Sequence, residues 1–388
     1  MDRMRNPYSP GDGVPPPALA GRSKQLDDAD VVLRRHLAGR RAKSVLLTGL
    51  RGVGKTVLLV EFGRRAEALG YVHEPFEVEE RTSLPAALGI ALRKALLRLR
   101  AAHRRSDLFQ RALGVLKAFT VRWSPAPGLS IEGPAVPGPA DTGDLSVDIA
   151  GLLAEVGSAA KAHATGMFLT LDELQYLDRR AFGALVVGLH RLAQHSLPVV
   201  VAGAGLPSVL ALAGEARSYA ERMFDFPSIG SLSPADAGEA ILAPAREEGV
   251  TWDGAAAALI IDRTQGYPYF LQEFAKQAWD LAAGPHRIRQ SDVLASLAVT
   301  LDALDTGFFR VRFDRTSDAE RAYLRAMAAQ GSGPYATGAV ARALGKTTTQ
   351  VGPVRDALIK RGLCYAPRWG QINFTVPMFG DFLLRQDA

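Results

Sequence analysis

The strongest constraint on this chain is a glycine-rich segment between an apolar run and a helical pattern. Gly49–Thr56 is Gly-Leu-Arg-Gly-Val-Gly-Lys-Thr and matches the phosphate-loop pattern G-x-x-x-x-G-K-[ST] at every fixed position. Ser44–Thr48 before it predicts a buried strand, and Lys55–Leu69 after it predicts a helix. Such a loop turns backbone N–H groups around phosphate oxygens, and glycines permit the close approach. The segment therefore predicts a P-loop fold that binds a nucleotide.

Each conserved position of such a loop has its own chemistry. We expect Lys55 to reach the β- and γ-phosphates and to act in catalysis, and we expect the Thr56 hydroxyl to ligate Mg²⁺. The N-terminus of the following helix adds partial positive charge. A glycine turn that precedes a helix by chance is the alternative. The nucleotide-binding residues predicted in this segment are Gly49, Gly52, Val53, Gly54, Lys55, Thr56 and Val57.

A second apolar run ends in two carboxylates. Met167–Leu171 predicts a buried strand of a parallel sheet, and Asp172 and Glu173 follow it directly. The end of this strand would open beside the phosphate loop, where ligands bind in folds of this class. We therefore predict Asp172 as the second magnesium residue, with Thr56, and Glu173 as the general base that polarises a water. The alternative is a strand followed by helix-capping acids.

Composition indicates an ordinary globular protein. The chain has 388 residues, of which 47% are hydrophobic and 22% charged, enough for about two or three domains. A single cysteine, Cys364, excludes a disulfide framework and argues against a cysteine-rich zinc site. No long apolar run is present, and the proline-rich segment Met1–Pro17 lacks the apolar stretch of a secretory signal. We therefore expect a cytoplasmic protein without a membrane span.

Strand and helix patterns alternate along the first part of the chain. This order predicts an α/β fold with a mostly parallel, doubly wound sheet. Leu84–Phe119 is predicted to be one long helical stretch, and Leu197–Ala202 another strand. We predict a flexible N-terminus (1–18), a nucleotide-binding core (19–230) with an irregular surface insertion (123–144), a helical region without clear strands (231–300) and a C-terminal domain (301–388). In the families named below, the helical region would be the lid of an ATPase core and the C-terminal domain a winged helix.

The C-terminal prediction depends on the order of short elements. Three helical segments precede two strand-like pieces, which is the order of a winged helix-turn-helix. These pieces are 317–329, 337–344 and 348–361, followed by 364–367 and 371–375. The third helix would be the recognition helix. Gly352-Pro353 near its start suggests that its regular part begins nearer Gly352, because proline is tolerated only in the first turn.

The net charge of +6 is concentrated in this region. From Thr306 to Ala388 there are 12 basic and 6 acidic residues, whereas the first 305 residues are neutral overall. We therefore predict duplex DNA as a partner. The alternative is a winged helix that packs internally, and a second basic run, Arg93–Arg105, is either a solvated helix face or a further DNA surface. The predicted DNA contacts are Lys346, Thr348, Thr349, Gln350, Arg355, Lys360 and Arg368, with Arg361 in the same cluster.

Together the loop, the Leu-Thr-Leu-Asp-Glu strand and the C-terminal segments resemble the AAA+ ATPases of the replication-initiator type and the related STAND ATPases. The resemblance spans Pro17 to Arg385 and implies an ATP/ADP site with Mg²⁺ and self-association into an oligomer. Gly21 and Arg22 are similar to the short box that these families place over the adenine, with a linker turn as the alternative. Gly266-Tyr267-Pro268 resembles the G-x-P motif of the STAND lid, so Pro268 is expected near the nucleotide, with a simple helix boundary as the alternative.

The resemblance also implies an arginine that enters the site of a neighbouring subunit. Arg222 is the first candidate, Arg217 the second, and a surface arginine the alternative. The strand 197–202 departs from the family pattern, because it ends in Gly203-Ala204-Gly205 where a polar sensor residue is usual. This departure favours slow, switch-like hydrolysis.

These observations support an ATP-driven, DNA-binding switch that oligomerises. A second hypothesis is a STAND signalling ATPase whose winged helix clamps the lid until a protein partner releases it. A third is a regulatory subunit whose ATP site is only structural.

Overall fold

The structure, a computed structural model, describes residues 1–11, 13–79, 83–102, 107–123, 131, 133–216, 218 and 220–386. Backbone proximity divides the chain into two compact units. The first contains Met1–Arg22, Leu50–Gly54 and Gly230–Ala388, and the second contains Ser23–Gly49 and Lys55–Ile229. No helix in the described ranges has both the length and the apolarity needed to cross a membrane.

The second unit alternates strands and helices, as the sequence predicts. Its elements are α1 Ser23–Leu37, β1 Ser44–Gly49, α2 Lys55–Ala68, β2 Val72–Glu77, α3 Leu84–Ala102, α4 Asp107–Trp123, α5 Leu145–Ala162, β3 Met167–Asp172, α6 Arg179–Gln194, β4 Val199–Gly205, α7 Val209–Ala216, α8 Ala220–Met223, β5 Phe224–Asp225 and β6 Ser228–Ile229. Among these described residues, six strands form one parallel sheet in the order β2-β3-β4-β1-β5, with β6 also paired to β1.

Burial explains why the central strands are continuous apolar runs. Every residue of β1 and of β4 is buried, because helices cover both faces of a parallel sheet. In register, Leu171 of β3 pairs with Gly203 of β4, and Thr48 of β1 pairs with Gly205. The carboxyl ends of β1 and β3 therefore lie at one edge of the sheet, on either side of β4. The predicted α/β P-loop fold is confirmed.

The predicted helical stretch Leu84–Phe119 contains α3 and α4, and residues 103–106 between them lie outside the described residues. One prediction for this unit needs correction. Apart from Trp123, which ends α4, the described residues of the 123–144 insertion contain no helix or strand, but the insertion is not simply a surface loop. Ile131 and Ala140 are buried, and buried Asp148 of α5 accepts hydrogen bonds from Thr142 and Gly143.

The first unit is mostly helical. Its elements after residue 230 are α9 Pro234–Glu247, β7 Thr251–Trp252, α10 Gly254–Thr264, α11 Pro268–Leu281, β8 Arg287–Ile288, α12 Gln290–Leu304, a π-helical turn Asp305–Phe309, α13 Arg310–Phe313, α14 Asp318–Ala328, β9 Tyr335–Ala336, α15 Thr337–Ala343, α16 Thr348–Lys360, β10 Cys364–Tyr365, β11 Gln371–Phe374 and α17 Phe379–Arg385. The predicted lid does contain strands, since β7 and β8 form a parallel pair. Two-residue strands carry no sequence period, which is why the pattern missed them.

The N-terminus is not the flexible segment that we predicted. Tyr8 is 3% exposed, its hydroxyl donates to the Ile241 carbonyl at 2.5 Å, and Trp252 Nε1 donates to that hydroxyl at 3.0 Å. Asp2 begins a short 3₁₀ turn, and its carbonyl accepts a hydrogen bond from Trp279 Nε1. The abundance of proline and glycine concealed this single aromatic anchor.

The order and pairing of the C-terminal elements fit the predicted winged helix-turn-helix arrangement. Helices α14, α15 and α16 are followed by the hairpin of β10 and β11, and β9 pairs with β11 to complete a three-stranded antiparallel sheet. Helix α16 begins at Thr348 and not near Gly352, with Pro353 inside it. The reason is a capping box: Thr347 and Gln350 exchange hydrogen bonds between side chain and backbone, which stabilises the first turn ahead of the proline.

Candidate functional site

The glycine-rich loop joins β1 to α2. Gly52 and Gly54 have φ values of +73° and +90°, in the left-handed region that residues with a Cβ rarely adopt. Gly52 also lies too close to its neighbour for a side chain, because a Cβ there would be 2.8 Å from Tyr267 Oη. Helix α2 then begins at Lys55, which is 9% exposed. The backbone thus has the form that a phosphate-binding loop requires.

One contact in the second unit joins the helix after the loop to the end of β3. Thr56 Oγ1 donates a hydrogen bond to Asp172 Oδ2 at 2.5 Å, and Asp172 Oδ1 accepts one from the Glu173 backbone N–H at 2.8 Å. Burial raises the pKa of Asp172, and the hydrogen bonds from Thr56 and Glu173 oppose that shift. A hydroxyl and a carboxylate held together are oxygen ligands of the kind that Mg²⁺ prefers. The two predicted metal residues therefore meet, and they fit a magnesium ion.

Glu173 is oriented by a residue that the sequence analysis missed. Its backbone is left-handed, with φ of +56°, so the chain turns sharply after β3. Gln175 Nε2 donates to Glu173 Oε2, while Gln175 Oε1 accepts from the Leu206 N–H at 3.1 Å. Gln175 thus connects the predicted base to the residue directly after β4. Its only sequence signal is an amide two positions after the acidic pair.

The same region explains why β4 lacks a polar sensor side chain. A Cβ at Gly203 would lie 2.4 Å from Leu174 Cδ1, and one at Gly205 would lie 2.5 Å from Val209 Cγ2 and 3.1 Å from Gln175 Oε1. Neither position has room for a larger residue. The polar side chain that contacts the end of β4 comes instead from Gln175, which follows β3.

In the first unit, Arg22 contacts the loop. Its Nη2 donates to the Val53 carbonyl at 3.1 Å and to the Gly230 carbonyl at 2.6 Å. Burial lowers the pKa of Arg22, and the carboxylate of Asp236 partly offsets this. Gly21 lies against Asp236 as well. The guanidinium thus fixes the main chain of the loop, a role compatible with the predicted box.

The Gly266-Tyr267-Pro268 motif meets the loop through its middle residue. Pro268 is the first residue of α11, and Tyr267 directly precedes that helix. The Tyr267 hydroxyl donates to the Arg51 carbonyl, and the ring is 2% exposed. Sequence reasoning selected Pro268 because the family motif centres on it. The contact with the loop comes from Tyr267, which carries the only hydroxyl of the three residues.

The arginine predicted to act on a neighbouring subunit lies at the surface. Arg222 is exposed on α8, and within the described part of the chain it forms no ion pair. It makes no hydrogen bond with Thr56, Asp172 or Glu173 of its own chain. Arg217 lies outside the described residues.

The predicted DNA contacts divide into two groups. Arg355 pairs with Asp356 at 3.0 Å, and the Gln350 amide oxygen accepts from the Thr347 N–H at 2.9 Å, so both side chains already have intramolecular partners. Arg361 pairs with buried Glu320 at 3.2 Å and is structural. The others are exposed, and among the described residues their cationic members have no ion-pair partner: Lys346, Thr348, Thr349, Lys360 and Arg368.

The second basic run is less available than the sequence suggests. Arg98 pairs with buried Glu74 at 3.2 Å and donates to the His73 carbonyl at 2.8 Å, so it holds α3 against β2. Arg104 and Arg105 lie outside the described residues, as does the side chain of Arg100. Among the described residues of the run, Lys94 is exposed and Arg93 is half-buried.

Comparison with known proteins identifies the first half of the chain. Residues 18–202 match the family described as AAA ATPase domain, and residues 306–383 match a domain of unknown function, DUF8462. No curated protein matches the sequence. The Walker-type ATPase PABY2304 of Pyrococcus abyssi has a similar fold, with 14% identity, a TM-score of 0.61, and coverage of 94% of this chain and 96% of that one.

Two further solved structures match over most of their length. The Orc1 protein of Aeropyrum pernix, solved in complex with DNA, is 17% identical with a TM-score of 0.45 and coverage of 96% and 94%. The RuvB Holliday junction branch migration motor of Thermotoga maritima is 16% identical with a TM-score of 0.44 and coverage of 91% and 92%. Residues 18–202 thus match the AAA ATPase domain family, and the similarity to PABY2304 supports the predicted P-loop ATPase fold.

Proposed function

We propose that this chain is a slow, magnesium-dependent ATPase that couples its nucleotide state to self-association and to duplex DNA binding through the winged helix. The main observation in support of ATP hydrolysis is the contact between Thr56 and Asp172. It joins a complete phosphate loop to the acidic end of a parallel strand, which is the arrangement that nucleotide hydrolysis needs.

Each residue has a distinct task in this proposal. The backbone N–H groups of the loop and Lys55 bind the phosphates of ATP, and Thr56 and Asp172 hold Mg²⁺. When bound, the ion supplies positive charge that offsets the charge of the phosphate oxygens. Glu173 accepts a proton from the water whose oxygen bonds to the γ-phosphorus as the bond to ADP breaks. Gln175 orients Glu173.

Two observations support slow, switch-like turnover. Gln175 restrains the Glu173 carboxylate, so this group acts only on a water placed at that fixed position. Arg222 makes no hydrogen bond to the site residues of its own chain, which suits a role in a neighbouring subunit. In this proposal self-association brings Arg222 to the γ-phosphate of the next subunit, and hydrolysis waits for assembly.

Two substitutions test the ATPase proposal. Glu173→Gln should still bind ATP but lose about 100-fold or more in turnover, because the amide cannot accept the proton. Lys55→Ala should lose ATP binding in a fluorescent-nucleotide titration. Asp27→Asn, an exposed carboxylate on α1, is the matched control and should leave both unchanged. Equal turnover in Glu173→Gln would remove Glu173 from the mechanism, and tight ATP binding by Lys55→Ala would contradict the loop assignment.

The DNA part of the proposal is supported by the exposed cations of the winged helix. Lys346, Lys360 and Arg368 are exposed there. Each phosphate contact releases counterions, so Lys360→Ala should weaken binding to any duplex and lower the slope of log affinity against log salt by about 1. Arg246→Ala, an exposed cation on α9, should change neither. Affinity that does not fall with salt would contradict DNA binding.

One observation also favours the rival hypothesis of an intramolecular clamp. An aromatic cluster joins α11 of the lid to the C-terminal helices, with Tyr269 stacked on Phe308 at 4.8 Å and Phe309 on Phe382 at 5.4 Å. Such a cluster lets the winged helix restrain the lid without any DNA. The clamp predicts that Phe309→Ala raises ATP turnover while no duplex binds at any salt. The switch predicts salt-dependent duplex binding by the wild-type protein.

A further inference from the structure

The turn between β10 and β11 forms the tip of the wing. The Gln371 N–H donates to the Arg368 carbonyl at 3.1 Å, which closes a four-residue turn, and Gly370 takes the left-handed position with φ of +77°. On the other side, the Thr337 N–H donates to the Gly370 carbonyl at 2.9 Å. The main chain at the tip is therefore held by hydrogen bonds on both sides of Trp369.

Trp369 is presented to solvent at this tip. Its exposed fraction is 101%, against 9% for Trp252 and 1% for Trp279. Within the described part of the chain, no other aromatic side chain is among the large exposed apolar ones. A buried tryptophan stabilises a fold because it removes a large apolar area from water, and the exposed Trp369 ring makes no such contribution to stability. Its packing does nothing for the fold, which suggests an intermolecular role.

The sequence on both sides of Trp369 is basic. Between Thr337 and Pro377 there are six Lys or Arg residues and one acidic residue, Asp356, which is paired with Arg355. Arg368 precedes the ring directly, and Lys360 ends α16. Cations that bind phosphates beside a flat ring that can enter a base step suit a nucleic acid. Tryptophan and arginine also occur in protein hot spots, and the excess of cations in this segment is what favours a nucleic acid here.

We propose that Trp369 is a wedge that inserts its indole against a base step of duplex DNA, while Arg368 and Lys360 contact the phosphates on either side. The inference rests on the proposed DNA binding and adds to it a specific contact at the wing. A wedge costs unstacking energy at one step and gains ring–base contact, so it favours steps that unstack easily, such as TA or CA.

The test measures duplex affinity of the full chain over a range of salt concentrations. Trp369→Ala should lose about 10-fold in affinity because one ring–base contact is removed. The salt slope should stay the same, since no charge changes. Trp369→Phe should retain most of the affinity, whereas Arg368→Ala should lower the slope by about 1. Leu384→Ala removes an exposed apolar side chain on α17 and should have no effect.

A second measurement reports the base step itself. A duplex that carries 2-aminopurine should brighten when the wild-type protein binds and unstacks it, and should stay dark with Trp369→Ala at saturating protein. Unchanged affinity and full brightening with Trp369→Ala would overturn the wedge and leave DNA binding intact. Absence of duplex binding by the wild-type protein would overturn both. A blue shift of Trp369 emission on phosphatidylglycerol–phosphatidylcholine vesicles, without a change on DNA, would show a membrane contact instead.

Discussion

The carboxylate of Glu173 depends on a side chain two residues away. Gln175 spans from Glu173 to the backbone at the end of β4, so Gln175→Ala would remove both hydrogen bonds at once. We expect kcat to fall by about 10-fold because Glu173 loses its orientation, with little change in KM because the loop that binds the phosphates is untouched. Gln194→Ala, at the exposed end of α6, is the control. Steady-state ATPase kinetics measure this, and a kcat equal to that of the wild-type protein would contradict the orienting role.

Cys364 provides a single-site probe of the C-terminal sheet. It is 1% exposed, its Sγ lies 3.9 Å from Met327 Sδ, and burial raises the pKa of the thiol well above its ordinary value. The native thiol should therefore stay protonated from pH 7 to 9, and its alkylation by iodoacetamide should be slow with no rise over that range. In urea the thiol should regain an ordinary pKa near ~8.5 and react faster with rising pH. Fast labelling of the native protein would contradict its burial, and Cys364→Ser confirms the labelled site.

At the scale of elements, close packing around β4 limits the size of the side chain at Gly203. A Cβ at Gly203 would meet Leu174 and Leu46 at 2.4 and 2.7 Å, so Gly203→Ala should destabilise the protein by about 1–3 kcal/mol. Gly214 in α7 is the matched control, since nothing lies within 4 Å of its Cβ position. Gly214→Ala should instead stabilise by up to about 1 kcal/mol through helix propensity. Urea unfolding measures both, and equal shifts would show that packing at β4 is not the cause.

The elements that the sequence predicted correctly are those marked by an apolar run or helical spacing together with a local motif. β1, α2 and β3 belong to this group. The contact between Thr56 of α2 and Asp172 of β3 was expected because α2 follows β1, which is parallel to β3 in the same sheet. The two-residue strands β7, β8 and β9 have no period to detect. Gln175 and Tyr267 were missed because their roles depend on which backbone lies beside them in the fold. Local sequence does not contain that information.

At the scale of the whole molecule, the first unit is assembled from three separate stretches of the chain. Its N-terminal stretch does more than lead into the phosphate loop. The Met1 amino group donates to the Ala282 carbonyl at 2.8 Å, and Arg5 pairs with Glu248 at 2.9 Å. Residues more than 240 positions apart are thus joined, so the stability of the lid helices depends on a segment that composition alone would label a linker.

This dependence predicts that substitutions at Tyr8 lower the free energy of unfolding, and that the loss grows with the part of the side chain removed. Its ring lies edge-on to Trp252 and Trp279, with centroids 6.1 and 6.2 Å apart. Tyr8→Ala should cost about 3–5 kcal/mol because it leaves a cavity, and Tyr8→Phe about 1 kcal/mol because it loses only the hydroxyl bonds. Val14→Ala, at a 45% exposed side chain, should cost little. Urea unfolding followed by tryptophan fluorescence measures this order. If Tyr8→Ala unfolds at the wild-type urea concentration, the N-terminal segment is a linker after all, since an anchor buried between two tryptophans cannot be removed without cost.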